Sequence, residues 1–261
     1  MPNSPLIAYA NVAKHFDGGR VVAVDDVSLE VAEGEFLAIV GGSGSGKTTL
    51  LRLTNRLIEA DGGRIAVEGE DVHAVDPILL RRRIGYVFQS GALFPHMSVA
   101  DNIGITPRLL SWTKDDISAR VDELLDLVRL EREPYRDRLP HELSGGQRQR
   151  VGVARALAAK PRIVLMDEPF GALDPLTRDA LGDDYRELHR KLGLTTVMIT
   201  HDMTEAILLA DRIAVMRAGR LLAQGTPAEL AASGDDYVGE LLRTPRRQAE
   251  RLNAALPQGG A

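Results

Sequence analysis

The run from Ala38 to Leu51, A-I-V-G-G-S-G-S-G-K-T-T-L-L, restricts the fold of this chain more than any other stretch. Its centre, Gly41 to Thr48, fits the spacing G-x-x-x-x-G-K-[ST], with an apolar run, Phe36 to Val40, before it and a helix-like apolar run after it. The order reads as strand, loop, helix. Gly41, Gly42, Gly44 and Gly46 permit positive φ and let backbone N–H groups close around phosphate oxygens. Lys47 adds a point charge for β- and γ-phosphates, Thr48 adds a hydroxyl for Mg²⁺, and the helix starting there turns its positive end toward the anion. The whole run Gly41, Gly42, Ser43, Gly44, Ser45, Gly46, Lys47, Thr48 and Thr49 is expected to cradle the phosphates of a nucleotide.

At 261 residues the chain is long enough for one large domain or two lobes around a core that needs no covalent staples. It contains no cysteine, which excludes disulfides, thiolate metal sites and a cysteine nucleophile, and suits a reducing compartment. No apolar run reaches the roughly eighteen residues of a spanning helix, and Met1 to Pro5 lack the charge-then-apolar pattern of a secretion signal. The expected location is therefore the cytosol. A formal charge of −5 argues against non-specific nucleic-acid binding, and the basic run Arg81-Arg82-Arg83 reads as a solvated helix end.

Before the phosphate loop, Ile7 to Val12, Arg20 to Val24 and Val27 to Val31 read as strands of a small antiparallel sheet, with turns at Asp17-Gly18-Gly19 and Ala32 to Glu35. Phe16, beside the first turn, is either a core residue or an aromatic that stacks on a base. After the loop, a helix is expected from Lys47 to about Leu57, ended by Asp61-Gly62-Gly63, then strands at Arg64 to Val67 and Ile84 to Phe88. From Gln89 to Lys160 helical periodicity takes over. Ile117, Val121, Leu124, Leu125 and Val128 form one apolar stripe, with Thr113 as its N-cap. The loop Gly91 to Met97, G-A-L-F-P-H-M, is unusually apolar, so that Leu93 and Phe94 either pack inward or meet a partner.

Leu143-Ser144-Gly145-Gly146-Gln147 then opens a further helix. Ser144 and Gln147 stand in capping-box relation, and two glycines leave the positively polarised helix tip bare enough to grip a phosphate from outside. Ile163 to Met166 is a continuous apolar strand ending in Asp167-Glu168, as in a buried parallel strand whose carboxyl end faces a ligand. Successive strand residues point to opposite sides, so one acid can help hold Mg²⁺ while the other faces a water. Asp174-Pro175 starts a helix to about Leu192, Thr195 to Thr200 is a strand closed by His201 and Asp202, and Asp202 with Glu205 repeats the capping pattern. Arg212 to Met216 and Arg220 to Gln224 form a hairpin, and Arg246 to Ala261 reads as a frayed polar end.

Together these motifs resemble the ATP-binding subunit of ABC transporters, and L-S-G-G-Q placed between a phosphate loop and an acidic strand end is what separates that family from other NTPases. The resemblance implies an α/β P-loop NTPase core of RecA type, about residues 1–88 and 161–230, with an antiparallel β subdomain. It adds an inserted helical subdomain at about 89–160 and a short helical or polar tail at 231–261. It implies Glu168 as catalytic base, Gln89 as sensor of Mg²⁺ and the attacking water, Asp167 with Thr48 on the metal, and His201 with Lys47 on the γ-phosphate. Phe16, where tyrosine is more usual, takes the place of the aromatic on adenine. Asp174 takes the loop linking two sites across a dimer, with Gly171 where serine is common. Two copies are implied head to tail, with Ser144, Gly145, Gly146 and Gln147 of one closing over ATP held by Gly41 to Thr49 of the other.

The implied partners are a second copy, a separate membrane permease meeting Leu93 to Met97, and an extracytoplasmic substrate-binding protein. The implied location is the cytoplasmic face of the membrane. Asn55 to Glu59, Gly91 to Asn102 and Trp112 are similar to ATPases of glycine betaine, choline or other quaternary-amine importers, several of which carry paired C-terminal modules for which this tail is too short. Amino-acid or oxyanion import is the alternative. A soluble ATPase acting on DNA or ribosomes predicts a long coiled coil or a tandem second unit, and a small-molecule kinase needs neither Leu143 to Gln147 nor an acid pair placed to activate water.

Overall fold

The computed structural model describes residues 5–89 and 91–255. The chain begins with β1 (Ile7–Phe16) and β2 (Val21–Val31), followed by β3 (Phe36–Val40) and α1 (Lys47–Thr54). β2 is one continuous strand where two are expected from sequence. The break is absorbed by a bulge at Asp26, whose φ is +54°, and Asn11, with φ +50°, donates its side-chain amide to Asp26 at 2.8 Å. Next come β4 (Gly62–Val67), β5 (Glu70–Asp71), α2 (Pro77–Arg83) and β6 (Ile84–Val87). Gly62 and Gly63, expected as a turn, open β4 instead. At Gly63 a side chain would lie 2.3 Å from the Asn11 carbonyl, so only glycine lets β4 approach the bulge in β1. α1 stops three residues before Leu57, where the side chain of Asn55 accepts the Leu57 N–H and Arg56 turns to φ +53°. Arg81 is exposed at the end of α2, as expected, and also donates to the carbonyl of Asn55 just beyond α1.

The chain leaves the sheet after β6 and runs through α3 (Val99–Leu109), α4 (Lys114–Leu127), α5 (Arg132–Tyr135) and α6 (Gly145–Leu157) before returning at β7 (Ile163–Asp167). Thr113 caps α4 by accepting the Asp116 N–H, and the stripe Val121, Leu124, Leu125 and Val128 is buried. These residues join Val40, Val164 and Met198 in one apolar cluster, so the helical segment shares its core with the sheet. Then follow α7 (Pro175–Leu192), β8 (Thr195–Thr200), α8 (Met203–Leu209), β9 (Arg212–Arg217), β10 (Arg220–Gly225), α9 (Pro227–Ala231) and α10 (Asp236–Ala255).

Among the described residues the strands form two sheets: a four-stranded sheet in the order β2-β1-β4-β5 and a six-stranded one in the order β10-β9-β3-β8-β7-β6. In the larger sheet β3, β6, β7, β8 and β9 run parallel and β10 closes it antiparallel. Every residue of β3 is buried. Phe36, Ala38 and Val40 face the helical cluster, while Leu37 and Ile39 face a second cluster with α1 and the antiparallel sheet, as expected of a parallel strand covered on both sides. Parallel register sets Val40 beside Thr200, Asp167 beside Ile199 and Val87 beside Met166, so four carboxyl ends meet at one edge.

The last segment differs from its sequence reading. Residues from Arg246 to Ala255, expected to fray, continue α10 past Pro245. Their Arg, Gln, Ala, Glu and Leu side chains favour helix, and Val238, Leu241 and Leu242 seat the first half on the core. Residues 256–261 of that expected tail lie outside the described residues.

Candidate functional site

The loop from Gly41 to Gly46 crosses the edge where β3 ends. Gly46 has φ +99°, and a side chain there would lie 2.1 Å from the Ala23 carbonyl of β2, so glycine is needed for the close approach as well as the turn. Lys47 is buried. Its Nζ donates to the carbonyls of Gly41 at 2.8 Å and Gly42 at 3.0 Å. Burial pulls the ammonium below its ordinary pKa, while the nearby Glu168 and Asp167 carboxylates act to keep the proton on.

Asp167, last residue of β7, receives the Thr48 hydroxyl on one oxygen at 3.5 Å. Its other oxygen receives the Tyr86 hydroxyl at 3.2 Å and faces Arg52 at 3.7 Å. Burial and the Asp167 charge both push the Tyr86 phenol up, keeping it a donor. Thr48, Asp167 and the Gln89 amide offer oxygen donors of the kind Mg²⁺ accepts. Among the described residues no three His, Cys, Asp or Glu cluster to hold a metal. A set with one carboxylate fits Mg²⁺, which is commonly completed by waters and substrate phosphates.

Glu168 is separated from Asp167 by a change of backbone rather than by strand alternation. Its φ is +46°, and its N–H donates to the Ile199 carbonyl of β8. That turn brings one carboxylate oxygen within 3.2 Å of Gln89 Nε2 and 3.1 Å of His201 Nδ1. Sequence positions 47, 48, 89, 167, 168 and 201 thus converge on one edge.

The remaining predicted residues lie elsewhere. Ser144 caps α6 by accepting the Gln147 N–H, and Gln147 returns its side-chain oxygen to the Ser144 N–H, with its amide on Tyr135. A side chain at Gly145 would only reach ordinary contact with Leu173 at 3.7 Å, but one at Gly146 would meet Thr177 of α7 at 2.5 Å, which gives this glycine a reason within the chain. Asp174 caps α7 by accepting the Thr177 N–H at 3.0 Å. Phe16 is 39% exposed at the end of β1, with Lys14 Nζ 5.4 Å from its ring centre. Asp202 caps α8, but Glu205 does not complete the expected box. It is buried and accepts the Thr200 hydroxyl at 2.6 Å, while the Asp202 N–H turns to Thr200. Burial raises the Glu205 pKa.

The apolar loop divides. Leu93 packs on the core, Phe94 is exposed, and Asn102 holds the loop by accepting the Phe94 N–H and donating to the carbonyls of Phe94, Met97 and Ser98. Tyr86, Arg52, Arg155 and Tyr237 escaped the sequence reading, because nothing within a few residues of them marks a polar contact.

Residues 24–171 match the ABC transporter family. The chain belongs to that family. A choline transport ATP-binding protein of Bacillus subtilis is 49% identical over 242 residues, covering 92% of this chain and 63% of that protein. A glycine betaine uptake system ATP-binding protein of Escherichia coli is 49% identical over 234 residues, covering 89% of this chain and 75% of its own length. A sulfate/thiosulfate import ATP-binding protein of Xanthomonas campestris is 50% identical over 228 residues, 86% of this chain and 65% of that protein. Among solved structures, a dimeric ATP-binding cassette bound to ADP and Pi superposes with a TM-score of 0.76 at 31% identity, covering 84% of this chain and 98% of that one. The protein cbiO1 from Clostridium perfringens, part of the ABC transporter complex cbiONQ, gives 0.81 at 29%, covering 96% of this chain and 100% of that one. The ABC chain spans 63% of the length of its Bacillus choline relative. No described helix is long and apolar enough to cross a membrane.

Proposed function

We propose that this ABC family member hydrolyses ATP and thereby energises import of glycine betaine, choline or a related quaternary amine through a separate membrane permease. The observation that carries the ATPase reading is Glu168, gathered with Gln89 and His201 beside Lys47 and Asp167. Phosphoryl transfer depends on positioning and charge stabilisation, and each of these residues answers one of those needs. Lys47 and the glycine-rich loop Gly41 to Thr49 bind the triphosphate, with Phe16 against adenine. Thr48, Asp167 and Gln89 would hold Mg²⁺, which would supply charge neutralisation at the phosphates. Glu168 orients and deprotonates the attacking water with the oxygen that His201 and Gln89 leave free, and His201 steadies the γ-phosphate.

Ser144, Gly145, Gly146 and Gln147 come from a second copy. The dimeric assembly of a related ATP-binding cassette at 31% identity supports this reading, with Asp174, the cap of α7, between the two sites. In this reading the permease seats against Leu93 to Met97, a binding protein delivers the solute, and the chain works on the cytoplasmic face of the membrane. The solute class rests on the osmoprotectant relatives. A second reading, oxyanion import, is favoured by the identity to the sulfate/thiosulfate relative.

Phosphate release by the purified chain with ATP and Mg²⁺ tests the activity, and absence of release at every protein concentration overturns it. Uptake of labelled glycine betaine and of labelled sulfate into vesicles carrying this chain with its co-purified permease separates the solutes. Sulfate uptake alone moves the assignment to the second reading.

A further inference from the structure

α10, the helix most distant in sequence from the phosphate loop, reaches back to it through one side chain. Tyr237 Oη accepts the N–H of Gly42 at 3.2 Å. The carbonyl of the same Gly42 accepts Lys47 Nζ at 3.0 Å, so both polar groups of this glycine are held, one by the lysine and one by the tyrosine. The tyrosine is itself fixed. Its ring lies under the Arg217 guanidinium, 4.7 Å from the ring centre; its neighbour Val238 is fully buried, and the Val238 N–H is taken by Asp235. The loop is also braced by the turn after β9, where Gly219 donates to the Ser45 carbonyl at 3.1 Å.

From this geometry we propose that Tyr237 is a positioning residue for nucleotide binding, acting through Gly42 on the phosphate loop and on Lys47. The inference rests on the nucleotide-binding reading of Gly41 to Thr49. A loop with glycines at 41, 42, 44 and 46 has wide backbone freedom, and ordering it for a ligand costs conformational entropy. An anchor that holds it ordered beforehand lowers that cost and tightens binding. Gly42 is the point where the anchor acts with most leverage, because moving its peptide also moves the carbonyl that holds the lysine. The docking of α10 thereby sets the affinity of a loop nearly two hundred residues earlier in the chain, at a separation of 195 positions.

Tyr237→Phe keeps the ring under Arg217 and removes only the hydroxyl. Losing one such hydrogen bond is expected to weaken ADP binding about two- to tenfold. The KM for ATP should rise by the same factor while kcat at saturating ATP stays within about twofold, and the Gly42 amide should exchange hydrogen faster. A variant with wild-type ADP affinity overturns the proposal, and so does one in which kcat falls and KM does not move. ADP binding needs no hydrolysis, so the two readings fail separately. A wild-type chain that binds ADP but turns over no ATP defeats the ATPase assignment and leaves the Tyr237 comparison intact, whereas a chain that binds neither nucleotide defeats both.

Discussion

Glu168 and His201 face each other from the carboxyl ends of neighbouring strands, with Glu168 Oε2 3.1 Å from His201 Nδ1. Gln89 donates to that same oxygen at 3.2 Å. Both partners therefore share one oxygen of the carboxylate, and in the proposed reaction the water would meet the other. Glu168→Gln preserves shape and removes the basic oxygen. ATP turnover should fall about 10²- to 10⁴-fold with ATP affinity retained, as read by phosphate release beside equilibrium nucleotide binding.

Ser144 has two separable jobs in this reading. As the N-cap of α6 it accepts the Gln147 N–H, and Ser144→Ala should cost about 1 kcal/mol of stability. The proposed second job is to close over the nucleotide of another copy. Turnover by Ser144→Ala should then drop well beyond what the lost stability accounts for, and wild-type turnover per molecule should rise with protein concentration. A thermal melt and a concentration series measure the two effects independently.

Arg155 is buried beneath the apolar loop. It donates to the carbonyls of Gly91 and Ala92 at 2.8 and 2.9 Å and lies 5.9 and 5.8 Å from the ring centres of Phe88 and Phe94. Burial lowers its pKa. Arg155→Met keeps bulk but leaves two carbonyls without their donor, at a cost of about 1–3 kcal/mol. ATP hydrolysis by the isolated chain should survive, while solute uptake with the permease falls, because the loop bearing Phe94 loses its support.

His189 sits in a closed chain of hydrogen bonds: its Nδ1 lies 3.0 Å from the Thr196 hydroxyl, its Nε2 3.2 Å from the Gly34 carbonyl, and Tyr185 Oη 2.8 Å from the same threonine. A neutral ring satisfies all of them, with Nδ1 accepting and Nε2 donating. Burial depresses the imidazole pKa and the Arg186 cation adds to it, against the opposing pull of Asp211. Protonation therefore favours the unfolded chain. Stability from this group is complete above the unfolded-state pKa of about 6.5 and declines as pH falls below it toward the lower folded-state value. The melting temperature should drop between about pH 7 and pH 5, and His189→Gln should be less stable at pH 7 but show a shallower slope over that range.

Much of the site could be read before any tertiary contact was known. The caps at Thr113, Ser144 and Asp174, the phosphate-loop glycines and the acidic end of β7 are signals written within three or four residues, and the structure forms the hydrogen bond of each cap. The errors fall where distant segments meet. Glu205 looked like a cap partner because of its spacing from Asp202, yet the Thr200 hydroxyl and burial drew it inward. For Gly146 the sequence offered no sign of the further, intrachain reason for glycine: Thr177 of α7 occupies the space a side chain would need. The tail from Arg246 looked frayed because its composition is polar, and it stays helical because the apolar turn before it is seated on the core.

The sequence by itself determined the strand–loop–helix around Gly41 to Thr48, the apolar stripe of α4 and the caps of α4, α6 and α7, since these depend on periodicity, glycine spacing and capping between near neighbours. Only the tertiary structure decided which oxygen of Asp167 meets Thr48 and which meets Tyr86, that Glu168 turns toward His201, and that Tyr237 holds Gly42. Each of those contacts joins residues separated by 33 to 195 positions. Such pairings are fixed by the parallel register and the packing of helices on the sheet, which bring together side chains that no local pattern links.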